Sequence, residues 1–101
     1  MLILIPVDGN DEKLSHITPI SSLSSWALID FDNGSVQSVK FFDDRASIEA
    51  DWIDFVILQN KFENYMEFME EGMMVLVIRE EETIEDIIEA FKFKELDEIG
   101  L

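Results

Sequence analysis

The chain contains no cysteine, which excludes disulfides, thiolate metal centres and cysteine nucleophiles. It has a single histidine, His16, so imidazoles alone cannot build a closed metal site here. Basic residues are scarce. Seven Lys and Arg stand against twenty-three Asp and Glu, a formal charge of −16. That balance argues against nucleic acid and against an anionic membrane surface as partners, because both are met by clustered Lys and Arg. Long hydrophobic runs are missing too: none approaches the roughly 20 residues of a membrane span. The opening run Leu2–Val7 lacks a basic flank, contains Pro6 and is followed by Asp8, so it does not read as a signal peptide. The expected location is cytoplasmic.

What is present is enough for a folded globule. Of 101 residues, 48% are apolar, which supports one modest core and a single domain over residues 1–101. Leu2–Val7 is a continuous apolar run too short for a helix and reads as a strand buried on both faces. Residues 8–24 are polar and rich in Ser, Asp and Asn, with Pro19 inside. They form a long loop, a kind of segment that often carries function.

The strongest local signal is Asn33-Gly34 between the apolar-rich runs Trp26–Phe31 and Val36–Phe42. Asn-Gly supplies the two positive φ angles of a type I′ turn and therefore predicts a hairpin. A two-residue turn sets Asp32 opposite Ser35, Asp30 opposite Gln37, Leu28 opposite Val39 and Trp26 opposite Phe41. One face then carries Trp26, Leu28, Val39 and Phe41, the other Ala27, Ile29, Phe31, Val36 and Phe42. With large apolar groups on both, the sheet needs cover on both sides.

The second half alternates. Arg45–Trp52 is a short helix candidate, and Asp54–Leu58 a buried strand. Asn60 with Glu63 has capping-box spacing. Phe62, Tyr65, Met66 and Met69 then follow on one helical face, with Phe68 off that stripe. Gly72 suits a helix C′ position, and Met73–Ile78 is another strand. Thr83 caps a last helix whose core face is Ile84, Ile87, Ile88 and Phe91. Glu85 and Asp86 lie at the positive end of its dipole, Lys92 and Lys94 at the other. The expected order is β-β-β-α-β-α-β-α, with parallel strands joined by right-handed crossovers.

The phrases Ile3–Val7, Trp26–Asp30 with Asn33-Gly34 and Val36, Asp54–Ile57, Glu70–Val75 and Thr83–Phe91 resemble, in order and spacing, the NifX/NifB-type domain of the dinitrogenase iron–molybdenum cofactor biosynthesis family. The resemblance runs from about Leu2 to Leu96. It implies an α/β, ribonuclease-H-like fold with a mixed five-stranded sheet and helices on both faces. It also implies a non-catalytic domain associated with nitrogen fixation that binds or carries iron–sulfur or iron–molybdenum cofactor precursors.

This sequence departs from the family where chemistry is expected. A His-Phe-Gly-Arg-type phrase before the second strand falls on Pro19, Ile20, Ser21 and Ser22. A Gly-rich turn before the second long helix reads Leu58-Gln59-Asn60-Lys61-Phe62. The anion-binding guanidinium and the ligand imidazole are absent at those places. His16, three residues before Pro19, is the one candidate cofactor-binding residue. No catalytic residue and no metal-ligand set is assigned.

Two other readings stand beside this one. The acid runs Glu70-Glu71, Glu80-Glu81-Glu82 and Asp97-Glu98 fit an interaction module that binds a basic protein and no cofactor. Asp8, Asp30, Asp32 and Asp54, at or near strand ends, are the carboxylates a metal-dependent ribonuclease-H-like nuclease would use, although a −16 chain offers a phosphate backbone no basic track. Ser21, Ser22, Ser24 and Ser25 come with no nucleophile elbow and no base partner.

Overall fold

The computed structural model describes residues 1–99. Six strands, β1 (Leu2–Val7), β2 (Ser25–Asp32), β3 (Ser35–Phe42), β4 (Phe55–Leu58), β5 (Met74–Val77) and β6 (Asp97–Ile99), form one sheet in the order β3-β2-β1-β4-β5-β6. β4 and β5 run parallel to β1, whereas β2, β3 and β6 pair antiparallel to their neighbours. The helices are α1 (Met66–Glu70) and α2 (Ile84–Lys92). The sheet therefore has six strands, not the five expected. β6 is short, acidic and without period-two apolar patterning, so nothing in its side chains announced a strand; it forms by pairing with the free edge of β5.

The central strand sets the core. Ile3, Ile5 and Val7 point to one face and Leu4 to the other, and all four are fully buried. On the first face they meet Ile29, Ile57, Leu76 and the apolar side of α2 (Ile84, Ile87, Ile88). On the second they meet Trp26, Val56, Val75 and Phe68 of α1. Thr83 caps α2 by accepting the Asp86 N–H at 3.1 Å, and the first-turn acids and Lys92 complement its dipole.

The hairpin turn forms as expected, with positive φ at Asn33 (51°) and Gly34 (78°). Its register holds for Asp32↔Ser35 and Phe31↔Val36, then slips by one at a β-bulge that leaves Gln37 unpaired. Asp30 lies opposite Ser38, Leu28 opposite Lys40 and Trp26 opposite Phe42. The expected pairs Asp30–Gln37, Leu28–Val39 and Trp26–Phe41 do not form. The physical reason is the side-chain period of two. Without the slip Lys40 would face the α2 core. With it, Val39 and Phe41 pack there and Phe42 joins the opposite core.

Two expected helices shrink. Arg45–Trp52 reduces to one 3₁₀ turn, Arg45–Ser47, closed by Asp44 Oδ1 accepting the Ser47 N–H at 2.9 Å. The Arg45 guanidinium instead lies 4.7 Å from the Phe68 ring centroid and pairs with Glu71. The Asn60 helix starts only at Met66. Tyr65 and Met69 of the expected stripe pack against the second core, whereas Phe62, before the helix, is 86% exposed, Met66 is exposed and Phe68, off the stripe, is fully buried. α1 ends in a Schellman arrangement: Gly72 (φ 91°) donates to Met69 O at 3.0 Å and Met73 to Phe68 O at 3.0 Å. α2 ends the same way, with Lys94 (φ 57°) in the left-handed position.

Phe68→Ala empties the centre of the second core and is expected to cost about 3–5 kcal/mol in chemical denaturation. The two helix ends should respond with opposite sign. Lys94→Gly relieves a left-handed non-glycine residue and should stabilise by about 1 kcal/mol. Gly72→Ala should destabilise by about 1–2 kcal/mol, since a Cβ there would sit 2.6 Å from Trp52 Cη2. Melting curves of the two variants test both signs.

Candidate functional site

In an open α/β sheet, ligands bind outside the carboxyl ends of the parallel strands, where neighbouring connections diverge. Here that place lies between β1, whose chain leaves towards β2, and β4, whose chain leaves towards β5. Residues 8–24 follow β1 and residues 59–65 follow β4, so the loop expected to carry a site stands at this crevice.

The chain fills the crevice itself. Val7 uses one edge for Ser25 in β2, and on the other side Ile17 forms an antiparallel bridge to it. Asp8 N donates to His16 O at 3.0 Å and Thr18 N to Pro6 O at 3.1 Å. His16 in turn bridges Thr83, and Ile17 N donates to Glu82 O at 2.8 Å. The segment 16–18 thus lies as a short extra rung between the end of β1 and the residues before α2. Ile17 is buried, which anchors it.

One carboxylate closes what remains. Glu63 Oε1 accepts the Ile20 N–H at 2.6 Å, while Oε2 accepts the Gln59 and Asn60 N–H groups at 3.2 and 3.3 Å. Backbone donors from both loops therefore converge on a single internal anion. Ile20 lies in the stretch where the resemblance placed the anion-binding phrase, and Gln59 and Asn60 in the turn expected to be Gly-rich. Glu63 reaches back to Asn60 N as capping-box spacing predicts, yet it closes a loop rather than a helix start.

His16 is half exposed, its Nδ1 4.0 Å from Asp8 Oδ2. Asp8 Oδ1 accepts the His16 N–H at 2.8 Å. Asp11 is spent on its own turn, with Oδ1 accepting from Lys13 and Leu14 at 2.8 and 2.9 Å. Ser25 Oγ donates to Gly9 O, a buried tie and not a nucleophile. Glu81 accepts N–H groups of Arg79 (2.9 Å) and Glu80 (3.3 Å). Slight burial pushes its carboxyl up, but these N–H groups and the Arg79 charge outweigh it, so it titrates below the ordinary range.

The other carboxylates do not gather. Asp54 Oδ2 accepts the Leu2 N–H at 2.9 Å and Asp30 pairs with Leu2, so both sit at the opposite end of β1 from Asp8. A six-residue strand is about 20 Å long, far beyond the separation a two-metal site tolerates. Among the described residues no three of His, Asp and Glu converge on a common point. The donor set therefore does not fit an iron–sulfur group, which wants thiolates or several imidazoles.

Comparison with solved structures gives full-length matches. A crystal structure of a Methanocaldococcus jannaschii protein provisionally described as a dinitrogenase superposes with a TM-score of 0.75 at 21% identity, over 99% of this chain and 95% of that one. This chain has that fold. An NMR structure of a dinitrogenase so described, from Methanococcus jannaschii, matches at 0.73 and 22% identity, over 100% and 94%. A Thermotoga protein provisionally named NifB matches at 0.68 and 19%, over 96% and 91%. No family model and no curated protein matches the sequence. These three structures carry dinitrogenase and NifB names, as the resemblance over residues 2–96 implied. No helix among the described residues is long and apolar enough to cross a membrane.

Glu63→Ala should leave three backbone donors without their acceptor. The expected cost is about 2–4 kcal/mol, accompanied by faster hydrogen exchange at Ile20, Gln59 and Asn60. Unchanged exchange at these amides would show that the carboxylate does not hold the loops.

Proposed function

We propose that this chain is a NifX-like domain, related to the cofactor-biosynthesis proteins its fold resembles, whose cofactor site has degenerated. It is non-catalytic and works by docking to another protein. The observation that carries this reading is the Glu63 carboxylate, which takes up the backbone donors of both crevice loops. An iron–sulfur or iron–molybdenum precursor is anionic, and a resident carboxylate in a chain of charge −16 repels it. We read the sheet as a ribonuclease-H-like arrangement, supported by the order β3-β2-β1-β4-β5, with β6 added at the edge.

The loop after β1 also carries Asp8 and Asp11, and the run Glu80-Glu81-Glu82 precedes α2. Against them stand Lys13 and Lys61 on the two loops and Arg79, which is paired with Asp97 at 3.0 Å. This acidic excess favours a basic protein as partner. A precursor carrier, with His16 as its nitrogen ligand, is the competing reading that the names of the structural relatives favour.

Anaerobic purification with metal analysis separates the two. The expected result is a colourless protein with substoichiometric iron, unchanged by His16→Ala. Its basic partner should be released as added salt shortens the screening length from ~10 Å to ~3 Å. Iron retained at a stoichiometric level and lost in His16→Ala would establish the carrier instead.

A further inference from the structure

An apolar cavity lies at the opposite end of the sheet from the crevice. It has a volume of about 720 Å³ and opens beside the C-terminal end of α2. Its origin is a shortage of cover. A helix is about 10 Å across, whereas six strands span about 24 Å. α2 therefore leaves part of its face of the sheet bare near the starts of β4 and β5.

The walls are apolar and preformed. Phe91 of α2 meets Phe55 edge-on, with centroids 4.9 Å apart at 81°, and Phe31 likewise, 5.6 Å apart at 84°. Leu76 completes this lining. At the mouth Phe93 is 64% exposed and Met74 about half exposed, a large apolar rim for a chain this acidic. Lys92 and Lys94 stand at the same mouth. They are two of the seven bases of the chain, and neither forms an ion pair among the described residues. Among the described residues Glu98 is the one acid in this lining, although Lys92 also borders an adjoining groove with Glu12, Glu85 and Glu89.

We propose that this groove binds a small amphipathic monocarboxylate, its apolar body against Phe31, Phe55 and Phe91 and its carboxylate at the Lys92 and Lys94 ammonium groups. The volume falls in the range of small-molecule sites, which are mostly apolar with a few placed polar groups. Charges farther than about 8 Å are screened at physiological salt, and Lys92 and Lys94 are the side-chain cations of this lining. A short acid lacks the apolar body, and an alcohol of equal length lacks the charge. The selectivity expected is therefore for both features together.

Titration calorimetry with decanoate, decanol and acetate tests this on the intact chain. Decanoate should bind saturably at one per chain and at least about tenfold more tightly than decanol, with acetate not binding. Replacing both lysines (Lys92→Gln with Lys94→Gln) should remove that tenfold preference and leave decanol binding unchanged. Both positions are exposed, and an unaltered circular dichroism spectrum confirms that the variant folds. Absence of saturable decanoate binding, equal affinity for decanol, or a preference that survives the double variant would overturn the proposal. Sedimentation showing the groove closed by a second copy of the chain would overturn it as well.

Discussion

Burial of β1 on both faces is the constraint from which the rest follows. Ile3, Ile5 and Val7 on one side and Leu4 on the other are fully removed from water, so the chain must supply two layers of cover for one sheet. It has little helix with which to do so: five residues in α1 and nine in α2. Loops make up the difference. Ile20 and Leu23 from the loop after β1, and Ile48 and Ile53 from the segment before β4, pack against the second core. On the first face Leu96 adds cover beyond the end of α2, and among the described residues an aromatic-walled groove remains beside it.

The same economy shapes the crevice. Because loops serve as walls, their backbone polar groups need internal partners. Residues 16–18 find them on β1 and on the chain before α2. Ile20, Gln59 and Asn60 find theirs in Glu63. A carboxylate that solves a hydrogen-bonding problem also fixes the electrostatics, since the donors it takes are those an anionic guest would need. The proposed loss of cofactor binding and the loop architecture are thus two consequences of one side chain. The two ends of the sheet differ accordingly: loops and Glu63 close one, and an aromatic-walled groove with Lys92 and Lys94 opens at the other.

Most of the framework was legible in the residues. The buried run Leu2–Val7, the Asn33-Gly34 turn, the Thr83 cap and the Gly72 terminus depend on local conformational preference, which neighbouring residues state directly. What escaped depends on distant partners. The bulge at Gln37 is dictated by which core Lys40 must avoid, and no short-range rule contains that. Phe62 falls before the helix and Phe68 takes the centre of its buried side, because a periodic stripe identifies a helix but not its first residue or the partner that fills the core. β6 has no apolar signature of its own. His16 was singled out for its side chain, whereas the structure uses its backbone as a rung. Glu63 was noticed only as half of a capping box.

The inventory of side chains limits the chemistry this chain can offer. Without cysteine there are no disulfides or thiolate centres, and a single histidine with a charge of −16 weighs against an all-imidazole metal site and against nucleic acid, because side-chain inventory does not depend on conformation. Local sequence also determined the central strand, the hairpin turn and the last helix, whose signals lie within a few residues of one another. Only the tertiary structure decided that Glu63 sits across the crevice, that the carboxylates at the two ends of β1 never meet, and that Phe31, Phe55 and Phe91 share a groove with Lys92 and Lys94. Each of these is a relation between residues far apart in the chain, fixed by strand order and by how much of the sheet two short helices can cover.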